Sequence, residues 1–190
     1  MLTTQQLIKL QDAAMAAVQC EQETQVPCEL TIAQWALESG WGEHAPGNNC
    51  FGIKEVPGLG SQLLITKEVF TLEDVTDWLH RKEGRTAVAI SLPDPQGKRT
   101  YECRDLFAVF PNLSHCFSYR AIHLLSRGVY SNLLGTYKIN KDLISYIKGV
   151  SVIYATDVNY YSKIQSLISM PEVRDALIEA RRLRQREGGE

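Results

Sequence analysis

The sequence predicts an α+β fold, mainly helical with a small central β-hairpin sheet. Three observations carry that expectation. Apolar residues recur at helical spacing up to residue 40 and again after Pro111, strand-like alternation and turn signals are confined to the stretch between, and there is no internal repeat. With 190 residues, 44% hydrophobic and 22% charged, the chain has ordinary globular proportions, and its length favours a single core.

The first helix is expected over Gln5–Gln19, where Leu7, Leu10, Ala14, Ala17 and Val18 share a face. Pro27 suits the first position of a second helix, whose Leu30, Ile32, Ala33, Trp35, Ala36 and Leu37 leave little polar surface, so this helix should be buried; Gly40 ends it. The stretch from Glu43 to Gly60, with Pro46-Gly47-Asn48-Asn49, reads as a structured loop. Gln62–Phe70 alternates as a strand with Leu64, Thr66, Glu68 and Phe70 on one face. Thr71 to Asp74 resembles a capping box, so a short helix should follow before Gly84. Thr86–Leu92 and Lys98–Cys103 flank the turn Pro93-Asp94-Pro95-Gln96-Gly97 and predict a hairpin.

After Pro111, three helices are expected. One carries Leu113, Phe117, Ala121, Leu124 and Leu125, a second Leu143, Ile144, Ile147 and Val150, and a third Tyr161, Ile164, Leu167 and Ile168, with Thr156 or Asp157 as cap. Residues 171–190 read as a charged helix or frayed tail.

Composition excludes several functions. Twenty Lys and Arg against 22 Asp and Glu give a formal charge of −2, with no basic excess for nucleic acid. No apolar run reaches the roughly 20 residues of a membrane helix, and Met1-Leu2-Thr3-Thr4-Gln5-Gln6 lacks the features of a signal peptide, so a soluble, unprocessed chain without membrane insertion is expected. Five cysteines without a C-x-x-C pair point to reduced, packed thiols, with a Cys103–Cys116 pairing left open. His44, His80, His115 and His123 have no metal-ligand spacing, and there is no phosphate-binding Gly-rich loop, so neither a metal nor another cofactor is expected.

The residue that points to chemistry is Glu38, in the last turn of the nearly all-apolar second helix. The negative end of the helix and an apolar setting both favour its protonated form, which is what a general acid needs to protonate a sugar leaving group. The other reading is a solvated or ion-paired helix end.

The run Ala33-Gln34-Trp35-Ala36-Leu37-Glu38-Ser39-Gly40-Trp41-Gly42, followed by Ala45-Pro46-Gly47-Asn48-Asn49-Cys50-Phe51-Gly52-Ile53-Lys54, closely resembles the signature of the glucosaminidase-type peptidoglycan hydrolases, glycoside hydrolase family 73. This family includes flagellar rod-associated hydrolase domains, autolysins and phage lysins. Leu64-Ile65-Thr66-Lys67-Glu68-Val69, Phe107-Ala108-Val109-Phe110-Pro111 and Tyr154-Ala155-Thr156-Asp157-Val158-Asn159-Tyr160 are similar to later family stretches in the same order, so the resemblance covers about Gln11 to Met170. Cys50 replaces the family's usual aliphatic residue and Val158 its usual Pro.

The resemblance implies a lysozyme-like fold and an endo-β-N-acetylglucosaminidase cleaving the β-1,4 bond after N-acetylglucosamine in peptidoglycan. It makes residues 1–170 the catalytic domain, Glu38 the general acid and Glu68 the second carboxylate, as base or electrostatic partner. Residues 71–97 look like an insertion in the family pattern, which keeps Glu73, Asp74, Glu102 and Asp105 open as other second carboxylates. Tyr154 is the implied sugar-binding aromatic. Asn49, Phe51 and Tyr130 are further candidates for substrate binding, while Trp41 and Tyr160 read as core. Competing readings are a lytic transglycosylase and an inactive cell-wall-binding module. The implied partner is the glycan strand of the bacterial cell wall, reached by phage lysis, dedicated secretion or a tethering partner.

Overall fold

The computed structural model describes residues 1–187; the last three residues of the tail expected over 171–190 lie outside the described residues. The chain divides into two compact units, where length alone favoured one core. One is helical, formed by Met1–Phe51 and the chain from Phe110 onward, and the other is the β unit Gly52–Val109.

In the helical unit, α1 (Thr4–Thr24) starts at a capping box in which the Thr3 side chain accepts from the Gln6 amide and the Gln6 side chain accepts from the Thr3 amide. It runs five residues beyond the expected Gln19, ending with Gln25 in the left-handed region. α2 (Cys28–Ser39) follows, with Pro27 as its N-cap rather than its first residue. Next come α4 (Leu113–Arg120), one π-type turn (Ala121–Leu125), α5 (Val129–Asn140), α6 (Leu143–Tyr154), α7 (Tyr160–Ser169) and α8 (Pro171–Glu187). The α1 helix packs against α2, α4 and α8, and α2 also packs against α7. Trp35, Phe110, Phe117, Leu10, Leu30 and Ile164 are among the fully buried side chains of this core.

Three expectations need correction here. The α5 helix has no counterpart in the sequence reading, because Gly135, Val129 and Thr136 are poor helix formers and its buried stripe is only Tyr130 and Leu134. Neither Thr156 nor Asp157 caps α7. Asn159 holds the N-cap position, and Asp157 instead makes the preceding turn by accepting from the Asn159 amide at 2.8 Å. The segment after Pro171 is a packed helix rather than a frayed tail through residue 187, since Val173, Leu177 and Ala180 are buried at helical spacing.

The β unit holds β1 (Gly60–Phe70), α3 (Leu72–His80), β2 (Thr86–Ala89) and β3 (Arg99–Val109), in an antiparallel sheet ordered β1-β3-β2. The expected hairpin is present, but its second strand continues to Val109 and pairs with all of β1, from Gly60↔Val109 to Phe70↔Arg99. On its other edge β3 is completed by β2 and by the Ile53–Glu55 segment, which exchanges backbone hydrogen bonds with Leu106 and Ala108. The α3 helix begins at the Thr71/Asp74 capping box. It packs Val75, Trp78 and Leu79 with Phe70, Ala87, Tyr101 and Cys103 into a small separate cluster.

Candidate active site

Glu38 stands where α2 ends in an unusual turn. Gly40, Trp41 and Gly42 are all left-handed, at φ 56°, 62° and 78°. A Cβ on Gly42 would lie 3.1 Å from the Trp35 ring. Glycine is needed at both flanking positions because side chains disfavour this region, and Trp41 tolerates it with its ring edge-on to Trp35 at 6.0 Å. The Ser39 hydroxyl donates to the Trp35 carbonyl at 2.6 Å and accepts from the Gly42 amide at 2.9 Å, and Lys9 Nζ donates to the Gly42 carbonyl at 3.1 Å. The residues after Glu38 therefore form a fixed turn rather than a fraying end.

Burial stops short of the carboxylate. Every α2 residue from Leu30 to Ala36 is buried, but Glu38 itself is exposed, contrary to the apolar setting expected for it. Composition showed that the helix is buried but not which way its final turn faces. What the structure supplies is a partner: the Tyr160 hydroxyl donates to Glu38 Oε1 at 2.8 Å and accepts from Gln34 Nε2 at 2.9 Å. Because the tyrosine oxygen is already an acceptor for the amide, its proton is directed to Glu38. Burial pushes the Tyr160 hydroxyl well above the usual tyrosine range, and the adjoining Glu38 carboxylate adds to that, so it remains a donor.

Sequence reasoning placed Tyr160 in the core, where it is, but missed this second role and missed Gln34 altogether. A signal existed: Gln34 is a polar residue in an apolar helix, one turn before Glu38 and so on the same face. Tyr154, at the end of α6, is half-buried and packs on Tyr160 with ring centres 5.6 Å apart. Burial raises its hydroxyl, partly offset by the Arg120 guanidinium, and both Glu38 and Tyr130 lie close enough to act on it electrostatically. Glu38, Tyr154 and Tyr130 thus share one neighbourhood, with Tyr130 buried in α5. Phe51 is half-buried against Phe117, ring centres 5.7 Å apart. Asn49 is buried, and its neighbour Asn48 ties the loop to the Phe110 carbonyl through Nδ2 at 2.9 Å.

Within the β unit, Glu68 is half-buried on the sheet face that carries Thr66 and Phe70, and its Oε1 accepts from the Thr66 hydroxyl at 3.1 Å. The other carboxylates here have different settings. Asp105 is buried in the central strand, with Oδ2 at 3.0 Å from Arg85 and 3.2 Å from Lys54. Burial pushes it up, but the Arg85 and Lys54 cations paired with it and the Leu106 amide, which donates to Oδ1, outweigh that and hold it below the usual carboxylate range. Glu102 opposes Lys67 and Val88 in the register, on the sheet face away from Glu68. Asp74 is engaged by the α3 cap and Glu73 is exposed on that helix.

Among the described residues, one group has the proximity of metal ligands, Glu21, Cys28 and Glu29. Arg181 Nη2 occupies it, 2.7 Å from Glu29, 3.3 Å from Glu21 and 3.0 Å from Cys28 Sγ, which makes it an ion cluster joining α8 to α1 and α2. All five cysteines are buried free thiols, so the Cys103–Cys116 bond left open by the sequence is not formed. Among the described residues, no helix is long and apolar enough to cross a membrane.

The profile of the glucosaminidase family, described as mannosyl-glycoprotein endo-β-N-acetylglucosaminidase, matches residues 14–172. A comparison with curated proteins finds no match. Among solved structures the chain is similar to the catalytic domain of the autolysin Auto from Listeria monocytogenes, with 24% identity and a TM-score of 0.66 over 93% of this chain and 89% of that one. It is also similar to a peptidoglycan hydrolase mutant from Sphingomonas sp. A1, with 19% identity and a TM-score of 0.60 over 91% of this chain and 99% of that one. A third is a truncated glycoside hydrolase domain of FlgJ from Salmonella typhimurium, with 22% identity and a TM-score of 0.58 over 86% of this chain and 95% of that one. At these identities the structures establish a shared fold, the lysozyme-like arrangement of helices with a small sheet, while the family profile spans most of both units and includes Glu38 and Glu68. The chain therefore belongs to the glucosaminidase family and is a glycoside hydrolase.

Proposed function

We propose that this protein cleaves the β-1,4 bond between N-acetylglucosamine and N-acetylmuramic acid in peptidoglycan, with Glu38 as general acid and Glu68 as second carboxylate. The observation that carries the reading is the Gln34–Tyr160–Glu38 relay. It occupies Glu38 Oε1 as a hydrogen-bond acceptor and holds the side chain in place, which leaves Oε2, on an exposed residue, as the oxygen that would deliver the proton. Protonation of the glycosidic oxygen by Oε2 lets the bond break with charge spreading over the sugar ring, and Tyr154 offers that ring an aromatic face. Asn49, Phe51 and Tyr130 complete the sugar-binding residues.

Support for Glu68 comes by comparison within the β unit. Asp105 is neutralised by two cations, Asp74 is used by a helix cap and Glu102 faces the other way, whereas Glu68 accepts one neutral hydroxyl and keeps lone pairs for a water. Residues 1–170 form the catalytic domain, 71–97 are an insertion that adds α3 and β2, and the helix beyond Pro171 is an appended brace. The site of action is the bacterial cell wall, with delivery by phage lysis, dedicated secretion or a tethering partner.

The test is mass spectrometry of soluble products from purified peptidoglycan treated with wild type and Glu38→Gln. Reducing N-acetylglucosamine ends that vanish in the variant are the expected result. Anhydro-muramic ends would instead make the enzyme a lytic transglycosylase, and sacculus binding without product would make the domain a binding module. The anomer formed first, read by NMR, separates inversion from retention or acetamido participation.

A further inference from the structure

Arg120, the last residue of α4, is 1% exposed, yet its Nε, Nη1 and Nη2 atoms have no hydrogen-bond partner. None of the ion pairs among the described residues includes it. A buried guanidinium ordinarily finds a carboxylate, because leaving the charge uncompensated is costly. Arg120 instead stands over two aromatic rings, its guanidinium carbon 4.4 Å from the centre of Phe51 and 5.8 Å from that of Tyr154. It comes near the Tyr154 hydroxyl without the alignment of a hydrogen bond. Its charge acts on buried thiols and phenols around it, among them Cys20, Cys116, Tyr130, Tyr146 and Tyr154.

The attraction of a cation to an aromatic face is strongest when both are out of water, so the two rings are the main compensation this charge receives. Each ring is in turn engaged elsewhere, Phe51 by Phe117 and Tyr154 by Tyr160, whose hydroxyl is bonded to Glu38. Directly after Arg120 the hydrogen-bond pattern changes while the dihedrals stay helical: the Ala121 amide is shared between the Phe117 and Ser118 carbonyls and the π-type turn Ala121–Leu125 begins. Such turns occur frequently at functional sites.

We propose that Arg120 is a positioning residue of the glycosidase site, acting through Tyr154: the guanidinium clamps the Tyr154 ring, which then presents a fixed face to the sugar and keeps Tyr160 in register with Glu38. The proposal rests on the roles given above to Tyr154 and Glu38. Lysine is a poor substitute, since a compact, strongly hydrated ammonium cannot lie flat beside two rings.

A double-mutant cycle tests it, with kcat and KM measured on soluble glycan fragments of peptidoglycan for wild type, R120M, R120K, Y154L and R120M/Y154L. R120M should fold and lose about tenfold in kcat/KM, mostly through KM, with R120K between it and wild type, and R120M should cost less than about twofold in the Y154L background. Equal losses in both backgrounds, or a folded R120M with wild-type kcat/KM, overturn the proposal. If R120M does not fold, R120K carries the same cycle. A second readout needs no activity: in protein labelled with 13C-tyrosine, the Tyr154 ring should flip about tenfold faster in R120M or R120K than in wild type, and an unchanged rate overturns the clamp. A wild-type enzyme without product, or an active Glu38→Gln, would be a failure of the proposed function and would leave the ring-flip result standing.

Discussion

The helical unit and the β unit support their carboxylates in different ways. Glu38 is backed by a buried chain, Gln34 to Tyr160, inside a core that includes Trp35 and Phe117. Glu68 sits on a sheet whose own core is the small cluster around Val75, Tyr101 and Cys103, and it accepts from a neighbouring threonine hydroxyl on its own strand. The opposite face of that sheet leaves Leu63, Ile65, Val69 and Val88 each more than half exposed. One unit is a preorganised support and the other is held by local contacts. The difference suits the roles proposed above, an acid that must be aimed and a second group that works through a water.

The comparison can be broken most directly at the carboxylates. Glu38→Gln should lower kcat about a thousandfold or more while leaving the thermal midpoint near wild type, read by product release and calorimetry. Glu68→Gln should cost about a hundredfold, and an equal loss in both variants would erase the asymmetry.

Asp105 sharpens the contrast in stability. Removing its charge leaves Arg85 unpaired in a buried setting, so Asp105→Asn should destabilise the β unit by about 3 kcal/mol, measured by urea unfolding. Because its folded value lies below the ordinary one, its contribution is complete above about pH 4 and is lost as pH falls through the folded value. Wild type should thus lose stability in acid more steeply than the variant, and parallel acid curves would remove Asp105 from the account. The smallest effect is expected at the α3 cap, where Thr71→Ala should cost about 1 kcal/mol.

Much of the fold was legible because burial writes periodicity into sequence. The α1 and α2 helices and the Thr71 cap could be read that way, as could the strand carrying Glu68. The α5 helix could not, since a glycine and β-branched residues mask a short buried stripe, and the alternation of β3 was read only to Cys103 because the charged pair Arg104-Asp105 follows it. At the candidate site, Glu38, Glu68 and Tyr154 were singled out through a long motif, and the structure places Tyr154 near Glu38. The partners were not: Gln34 stood out only as a polar residue in an apolar helix, and nothing in the sequence ties it to Tyr160. Arg120 had no signal, being one arginine in an ordinary helix.

The turn Gly40-Trp41-Gly42 has a consequence for how such chains are identified. Its left-handed backbone demands those glycines whether or not the neighbouring acid functions, so a descendant that lost Glu38 would still be under pressure to keep the turn. The most recognisable stretch of the sequence is therefore a marker of ancestry. If Glu38 is the acid proposed above, the joint presence of Gln34, Glu38 and Tyr160 is the better diagnostic for sorting living enzymes from silent copies in a genome.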